Sequence, residues 1–358
     1  MGDEVLVSSG IEILGSGRRT PEPLWFRFPA SADPSGDCEP FVVALLLLAM
    51  QNGEDIEVRG SLSRTFLEGL DRYQRVFQCW FPERFKLIEI RPESFRDDAP
   101  SGATGKGAAF SGGVDSFHTF LALRKQLTHT IFMAGFDMPI NLTWSIGELT
   151  RSFATMMKDS GIEFIAGSTN VRTFVNAVDW TNAHGPALLA TALFFKHRLS
   201  DFYIPSSYTD GNYPNWGSHP DLDPLLSSES MRFVHHGSDL NRVQKLEQIA
   251  HEPMTYDRLR VCWIQDIGLK NCGVCEKCIR TQVALDIVGA LAKYTTFESG
   301  TLDHSRIRNL RHRTHQSRMF ARVLMREAIR RGKWRVWSSL GFSLLRREMF
   351  HRTHVRRS

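Results

Sequence analysis

Two groups of residues have the types and spacing to do chemistry. The first is Ser111-Gly112-Gly113-Val114-Asp115-Ser116, set behind an apolar run at 107–110 and ahead of Phe117, Phe120 and Leu121. A Gly-Gly turn lets the backbone approach a ligand closely. Its N–H groups can face inward as an anion nest. A helix starting there brings its unpaired N–H groups and positive dipole end to the same place. Ser111 and Ser116 add hydroxyl donors, and Asp115 could cap the helix or help hold Mg2+ beside phosphates. An ordinary capped turn uses similar residue types. The complete string behind an apolar strand is what marks a phosphate loop. The neighbouring Gly105-Lys106 lacks the Ser or Thr that would make a Walker-type loop.

The second group is Cys262, Cys272, Cys275 and Cys278, with spacing C-x9-C-x2-C-x2-C. Such crowding points to a metal rather than to disulfides. Four thiolates around one ion suit Zn2+ in a closed, structural site. An iron–sulfur cluster is the rival occupant, because it uses related spacings. Cys38 and Cys79 lie far from the loop in sequence and read as small apolar residues.

The Ser-Gly-Gly-x-Asp-Ser string resembles the pyrophosphate-binding motif of the N-type ATP pyrophosphatases, the adenine nucleotide alpha-hydrolase-like superfamily. The resemblance implies a Rossmann-like fold of the HUP type, with ATP and Mg2+ as cofactors. It implies that Ser111, Gly112, Gly113, Val114, Asp115 and Ser116 hold the phosphates, Asp115 and Ser116 acting catalytically. A strand over 131–135 then lies beside the adenine, through Phe132 and Met133. Members cleave ATP between the α- and β-phosphates and pass AMP to a carbonyl oxygen. A nitrogen or sulfur nucleophile then displaces the AMP.

A phosphate loop followed by a four-cysteine cluster is similar to the 7-cyano-7-deazaguanine synthases, over residues 106–291. Those enzymes bind zinc in such a cluster and convert a carboxylate to a nitrile with ammonia and ATP. The resemblance therefore implies an AMP-forming, C–N bond-forming ligase, with a small-molecule acyl substrate and an ammonia or amine donor. The family's compact substrate loop is replaced by 206–219, rich in Tyr, Trp, His and Asp, and this points to another substrate. A tRNA thiolation enzyme and a non-catalytic nucleotide sensor are the alternatives.

Further residues are candidates with bland readings beside them. His184 is a site-edge or core histidine, and Trp216, His219 and Asp221 are lid or plain surface loop. Arg242 and Lys245 could neutralise pyrophosphate or line a solvated helix. Arg280 and Thr281 could brace the cysteines, and His235-His236 reads as a turn.

Positioning these residues requires alternating strands and helices. From residue 107 the pattern predicts strands at 107–110, 130–136, 162–166, 201–205 and 258–263. Helices are expected at 116–126, 146–160, 186–197, 240–250 and 276–291, with Pro186 in a first helical turn. This is the pattern of an α/β, doubly wound parallel sheet, with ligands at the carboxyl ends of its strands. Ahead of it, strands at 11–14, 24–28, 56–60 and 85–90 and a helix at 66–77 suggest an α+β accessory region. The expected division is an accessory domain at 1–103, the loop and cysteine domain at 104–300, and a basic, partly helical or disordered tail at 301–358.

The net charge of +5 hides an asymmetry. Residues 305–358 hold sixteen Lys or Arg against two acids, a net of +14, which leaves −9 for residues 1–304. Such a tail reads as a charged, partly disordered segment with no specific ligand, or as one that binds RNA, an anionic membrane surface, an acidic partner or its own acidic body. The apolar run at 41–50 is too short to span a bilayer, so no transmembrane segment is expected. No secretory signal pattern opens the chain, and a cytoplasmic location is the expectation. The oligomeric state is open, a homodimer included.

Overall fold

The computed structural model describes residues 3–13, 18–20, 22–97, 101–211, 213–262 and 266–355. The chain opens with β1 (Glu4–Ser9), the short pair β2 (Glu12–Ile13) and β3 (Arg18–Arg19), and β4 (Leu24–Pro29). Alternation in β4 sends Leu24, Phe26 and Phe28 into the core. The apolar run at 41–50 lies in a helix, α1 (Glu39–Asn52), buried on most sides and stopped by Gly53 at φ 72°. Next come β5 (Ile56–Ser63), α2 (Arg64–Trp80) and β6 (Ile90–Arg96). The strand expected at 85–90 thus begins only at Ile90, because Phe85 is used as a core plug, its ring 5.3 Å from Phe77. Leu14, at the end of an expected strand, lies outside the described residues.

The alternating segment follows: β7 (Gly105–Ala109), α3 (Val114–Leu123), β8 (His129–Ala134), α4 (Thr143–Asp159) and β9 (Glu163–Thr169). After α5 (Val171–Val175) and α6 (Trp180–Leu193) come β10 (Leu199–Pro205), β11 (Arg232–His236), α7 (Arg242–Ile249) and α8 (Glu276–Ile287). The C-terminal region adds α9 (His304–Arg308), α10 (His315–Arg330) and α11 (Trp334–Val355).

One seven-stranded sheet runs β1-β4-β9-β8-β7-β10-β11. Its last five strands are parallel, while β1 and β4 join antiparallel. Helices cover both faces: α1, α2 and α6 pack on one, and α3, α4, α7 and α8 with parts of α10 and α11 on the other. This mostly parallel α/β arrangement is consistent with a Rossmann-like fold. The order of chain travel reverses between β7 and β10, so the topological switch point lies at the carboxyl end of β7. Strands from both sides of residue 103 share this sheet, since Phe26 pairs with Thr169.

Three local expectations are corrected. Pro186 does not open a helix but sits inside α6. A proline there leaves the carbonyl of Asn182 without its helical donor. The chain crosses closely there: Gly217 N–H donates to the neighbouring Thr181 O at 3.0 Å, a Cβ on Gly217 would stand 2.1 Å from Asn182 O, and one on Gly185 1.8 Å from Gly217 O. Residues 258–262 form no strand, because their backbone bonds to a loop and to Asn271 instead. Trp263 lies outside the described residues. His235 and His236 end the strand β11 rather than forming a turn, and β11 pairs in parallel with β10.

Candidate functional site

The Ser111–Ser116 segment is a strand-to-helix turn between β7 and α3, at the switch point. Gly112 has φ 73°, and a Cβ there would stand 2.3 Å from the Phe153 ring. Both the backbone and the space therefore demand glycine. Gly113 is the N-cap of α3 and offers no side chain to its N–H groups. The turn is tied by weak hydroxyl contacts: Gly113 N–H donates to Ser111 Oγ at 3.4 Å, and Ser116 Oγ donates to Gly113 O at 3.0 Å. Val114 is packed in the core. From outside, Arg260 N–H donates to Gly112 O at 2.8 Å.

Phe132 and Met133 sit on β8, next to β7. Their side chains belong to the core, Phe132 facing Phe153 and Met133 facing the other side of the sheet. The β7–β8 ladder ends at Ala109 and Ile131, with one more bond from Phe110 N–H to Ile131 O. The backbone of Phe132 and Met133 runs past the end of β7, beside the loop.

Four basic side chains from distant sequence gather around Asp115. Arg242 and Lys245 of α7 pair with its carboxylate, Lys245 Nζ at 3.5 Å. Burial pushes the Asp115 pKa up, but the fields of Arg242, Lys245 and Lys277 outweigh it and hold the group below its ordinary value. Lys277 and Arg280 come from the first turns of α8. Burial, reinforced by Arg242 and Arg280 and opposed by Asp137, pushes Lys277 down to about 8. Burial and Arg242 also lower Arg280, though a guanidinium keeps its proton at neutral pH. Arg280 Cζ lies 3.9 Å from the centre of the Phe320 ring, supplied by α10, and Tyr208 stacks on Phe320 at 5.5 Å. The Nε atoms of Arg242 and Arg280 are buried with no hydrogen-bond partner among the described residues. Buried donors without acceptors are rare in folded proteins and call for a ligand or water.

The cysteine quartet is assembled by Asn271. Its Oδ1 accepts from the N–H groups of Val261 (2.8 Å) and Cys262 (3.0 Å), and its Nδ2 donates to Leu259 O and Thr296 Oγ1. This draws Cys262 against the turn at Cys272-Gly273-Val274-Cys275, where Gly273 has φ 70°. The N–H groups of Cys275 and Cys278 each donate to the preceding cysteine sulfur at 3.4 Å. All four Sγ atoms lie within 4.8 Å of one another, with Cys272 and Cys278 3.7 Å apart. A tetrahedral ion with bonds of about 2.3 Å to sulfur needs edges of about 3.8 Å. The quartet could therefore hold one metal ion, and its donor set is compatible with zinc. Hydrogen bonding from Cys278, opposed by burial, holds the Cys275 thiol down to about 5.

The quartet and the loop are mechanically joined. Residues 260–262 carry a bond to Gly112 at one end and Cys262 at the other. Cys275 is the N-cap of α8, and Cys278 stands between Lys277 and Arg280 on that helix. The same turn that binds sulfur aims two cations at the loop.

The described residues of 206–211 and 213–223 form a wall beside these cations. Asp223, fully buried, accepts from His235 Nδ1 (2.7 Å) and Ser218 Oγ (2.8 Å). His235 Nε2 meets the Tyr213 hydroxyl at 2.8 Å, and that hydroxyl also meets Ser206 Oγ. Ser206 O in turn accepts from Lys245 Nζ at 2.6 Å. His235 therefore latches the wall to the basic cluster. Trp216 packs on His184 at 5.3 Å and on Tyr208 at 5.6 Å. His219 packs between Tyr213 at 4.8 Å and Trp80 at 4.9 Å, and Asp221 is exposed. Asp179, the N-cap of α6, has φ 73°, a backbone state that non-glycine residues seldom adopt. Thr281 spends its hydroxyl on Lys277 O, within α8.

No protein-family model, curated protein or solved structure matches the chain.

Sequence reasoning found the loop and the quartet. It left Arg242, Lys245 and Arg280 as doubtful and missed Lys277 and Phe320. The Cys-x2-Cys-Glu-Lys-Cys-x-Arg spacing was the available signal for Lys277 and Arg280: residues three apart on a helix that starts at a metal turn share one face.

Proposed function

We propose that this protein is an ATP pyrophosphatase-type ligase of the HUP class. It binds ATP at Ser111–Ser116 with Mg2+, adenylates a carboxylate or amide oxygen, and releases pyrophosphate. An ammonia or amine donor then displaces AMP, as in the 7-cyano-7-deazaguanine synthases. The observation that carries the reading is the gathering of Arg242, Lys245, Lys277 and Arg280 around a helix N-terminus, with two buried guanidinium Nε donors lacking acceptors.

The chain's own groups divide the work. The backbone N–H groups at Gly113–Ser116 and the hydroxyls of Ser111 and Ser116 receive the phosphates. As the substrate oxygen bonds to the α-phosphorus, the bond to the β-phosphate oxygen breaks and charge builds on pyrophosphate. Lys277, Arg280 and Arg242 face that charge from a site where water does not screen it, so their effect is large. Asp115 keeps Arg242 and Lys245 in register and is the carboxylate placed to help hold Mg2+, which would neutralise phosphate charge. The β8 backbone at Phe132 and Met133 offers an edge for the adenine. The wall carrying Tyr208 and Trp216, with His184 of α6 packed against it, gives the acyl substrate an aromatic surface. Zinc held by Cys262, Cys272, Cys275 and Cys278 would have no open position and would serve the fold.

The test is the nucleotide product from α-labelled ATP, with and without a metabolite extract, comparing wild type with Asp115→Ala. AMP and pyrophosphate that depend on the extract and vanish in the variant support the reading. ADP, or no product from folded, metal-loaded protein across diverse extracts, counts against it.

A further inference from the structure

The C-terminal helices end in a surface that the phosphate site does not use. Along the outer side of α11, Trp334, Trp337, Phe342 and Leu345 are 61, 39, 48 and 61% exposed. At roughly 100° per residue these positions fall within one broad stripe. Ile329, on the last turn of α10, is 45% exposed and extends the apolar character. The opposite side of α11 is already docked. Val336 and Leu340 are buried, Ser343 Oγ meets His312 Nε2 at 2.9 Å, and Ser339 Oγ meets His304 Nδ1 at 3.1 Å. The turn ahead of α11 is fastened by Arg331 to Glu247 at 2.6 Å and by Lys333 to Asp286 at 3.2 Å. The exposed stripe is therefore presented on a fixed helix rather than left over from loose packing.

Charge surrounds it. Arg322, Arg326 and Arg330 are exposed on α10, and Arg335 and Arg346 on α11. In sequence, residues 305–358 hold sixteen basic residues against two acids. Trp, Phe and Leu on one side with arginines beside them is the composition of a helix that lies in a membrane interface, and tryptophan favours the headgroup level. No helix among the described residues is long and apolar enough to cross a membrane, which agrees with a helix lying flat. Nucleic acid fits the stripe less well. Leu345 and Ile329 have no ring on which a base could stack, whereas a bilayer covers aliphatic and aromatic groups alike.

We propose that α11 docks the protein on an anionic lipid bilayer. Trp334, Trp337, Phe342 and Leu345 enter the boundary between headgroups and acyl chains. The arginines of α10 and α11 meet the lipid anions. This surface stands apart from the nucleotide site and does not depend on its chemistry.

The test is co-sedimentation of the full chain with vesicles of phosphatidylcholine alone or mixed with phosphatidylserine, across a salt series. Binding to the anionic vesicles is expected to be roughly tenfold or more tighter and to weaken as salt rises. Trp334→Ser with Trp337→Ser should lose roughly tenfold in that affinity. Both side chains are exposed, so melting temperature and metal content should match wild type. Arg322→Gln with Arg326→Gln should reduce the anionic preference at low salt. Equal or absent binding to the two vesicle types overturns the proposal, as does full vesicle binding by the tryptophan variant. Two further outcomes overturn it: salt-sensitive binding of random RNA without vesicle binding, and self-association that the tryptophan variant abolishes while vesicles remain unbound.

Discussion

The glycine loop at 111–116 and the cysteine quartet are neighbours built in opposite ways. The loop takes its backbone shape from local residues, a glycine at φ 73° and a helix ahead, with the Phe153 ring of α4 closing in behind. Its charge comes from far away, from α7 and α8, more than 120 residues along the chain. The quartet takes nearly all its ligands from one seven-residue stretch and borrows only Cys262, which Asn271 delivers. A motif that shapes backbone can be complete and still lack most of its electrostatics. A motif that binds metal is close to self-contained. The two meet at the start of α8, which carries Cys275 as its N-cap, Cys278 in its first turn, and the cations Lys277 and Arg280.

Losing the metal site should have the largest effect. Cys278→Ser is expected to abolish metal retention and to cost on the order of 5 kcal/mol, since structural metal binding is folding free energy. Nucleotide affinity should fall with it, because Lys277 and Arg280 lose their fixed helix start. Metal content by elemental analysis, a denaturant melt and nucleotide titration check this together. If the variant keeps its nucleotide affinity, the quartet and the loop are not mechanically coupled.

Gly112→Ala comes next. A positive φ and a ring 2.3 Å from the new Cβ leave no room without moving Phe153. The expected cost is about 3 kcal/mol, combining backbone strain with a core clash. Phe153→Leu in the same chain relieves the clash but not the strain, so it should recover part of the loss. Complete recovery would mean that space alone dictates the glycine.

Arg280→Lys probes the distant half of the loop's site. Lysine keeps the charge but loses the planar fork and its stacking on Phe320. Nucleotide affinity should drop roughly tenfold, with little change in melting temperature. An unchanged affinity would place the anion away from α8.

The same contrast explains what the sequence revealed. The doubly wound sheet was legible because apolar strands and amphipathic helices alternate from residue 107 onward, and the loop and quartet because their spacing is local. The N-terminal strands were harder to place: periodicity marked β4 as a strand, but nothing in it names β9 as its partner. Pro186 was misplaced because a proline is suited to a first helical turn, and the Gly217 that packs against its helix lies 31 residues later. His235 and His236 looked like a turn because they precede Gly237. Only the tertiary fold gives His235 its buried Asp223 and His236 its place beside Thr119. For the same reason Lys277 escaped and Arg242, Lys245 and Arg280 stayed between two readings, since charge convergence has no sequence period.

That convergence makes a final, smaller prediction about pH. His236 lies behind α3, its Nδ1 3.0 Å from Thr119 Oγ1 and its ring stacked on His118 at 5.8 Å. Burial, His118 and Lys245 push its pKa down to about 4 from an ordinary 6.5. Between those values the unfolded chain binds a proton there and the folded chain does not. Stability must therefore rise with pH through this window and fall as pH drops from 6.5 toward about 4. His236→Gln keeps a polar side chain without the titration and should flatten that slope, as read from urea midpoints at pH about 7 and about 5. Lys245→Met should also flatten it in part, by removing one of the positive charges that disfavour the proton. If His236→Gln leaves the acid limb as steep as in wild type, the crowding of positive charge behind the loop is weaker than its geometry implies. The electrostatic half of the comparison would then rest on Arg242, Lys277 and Arg280 alone.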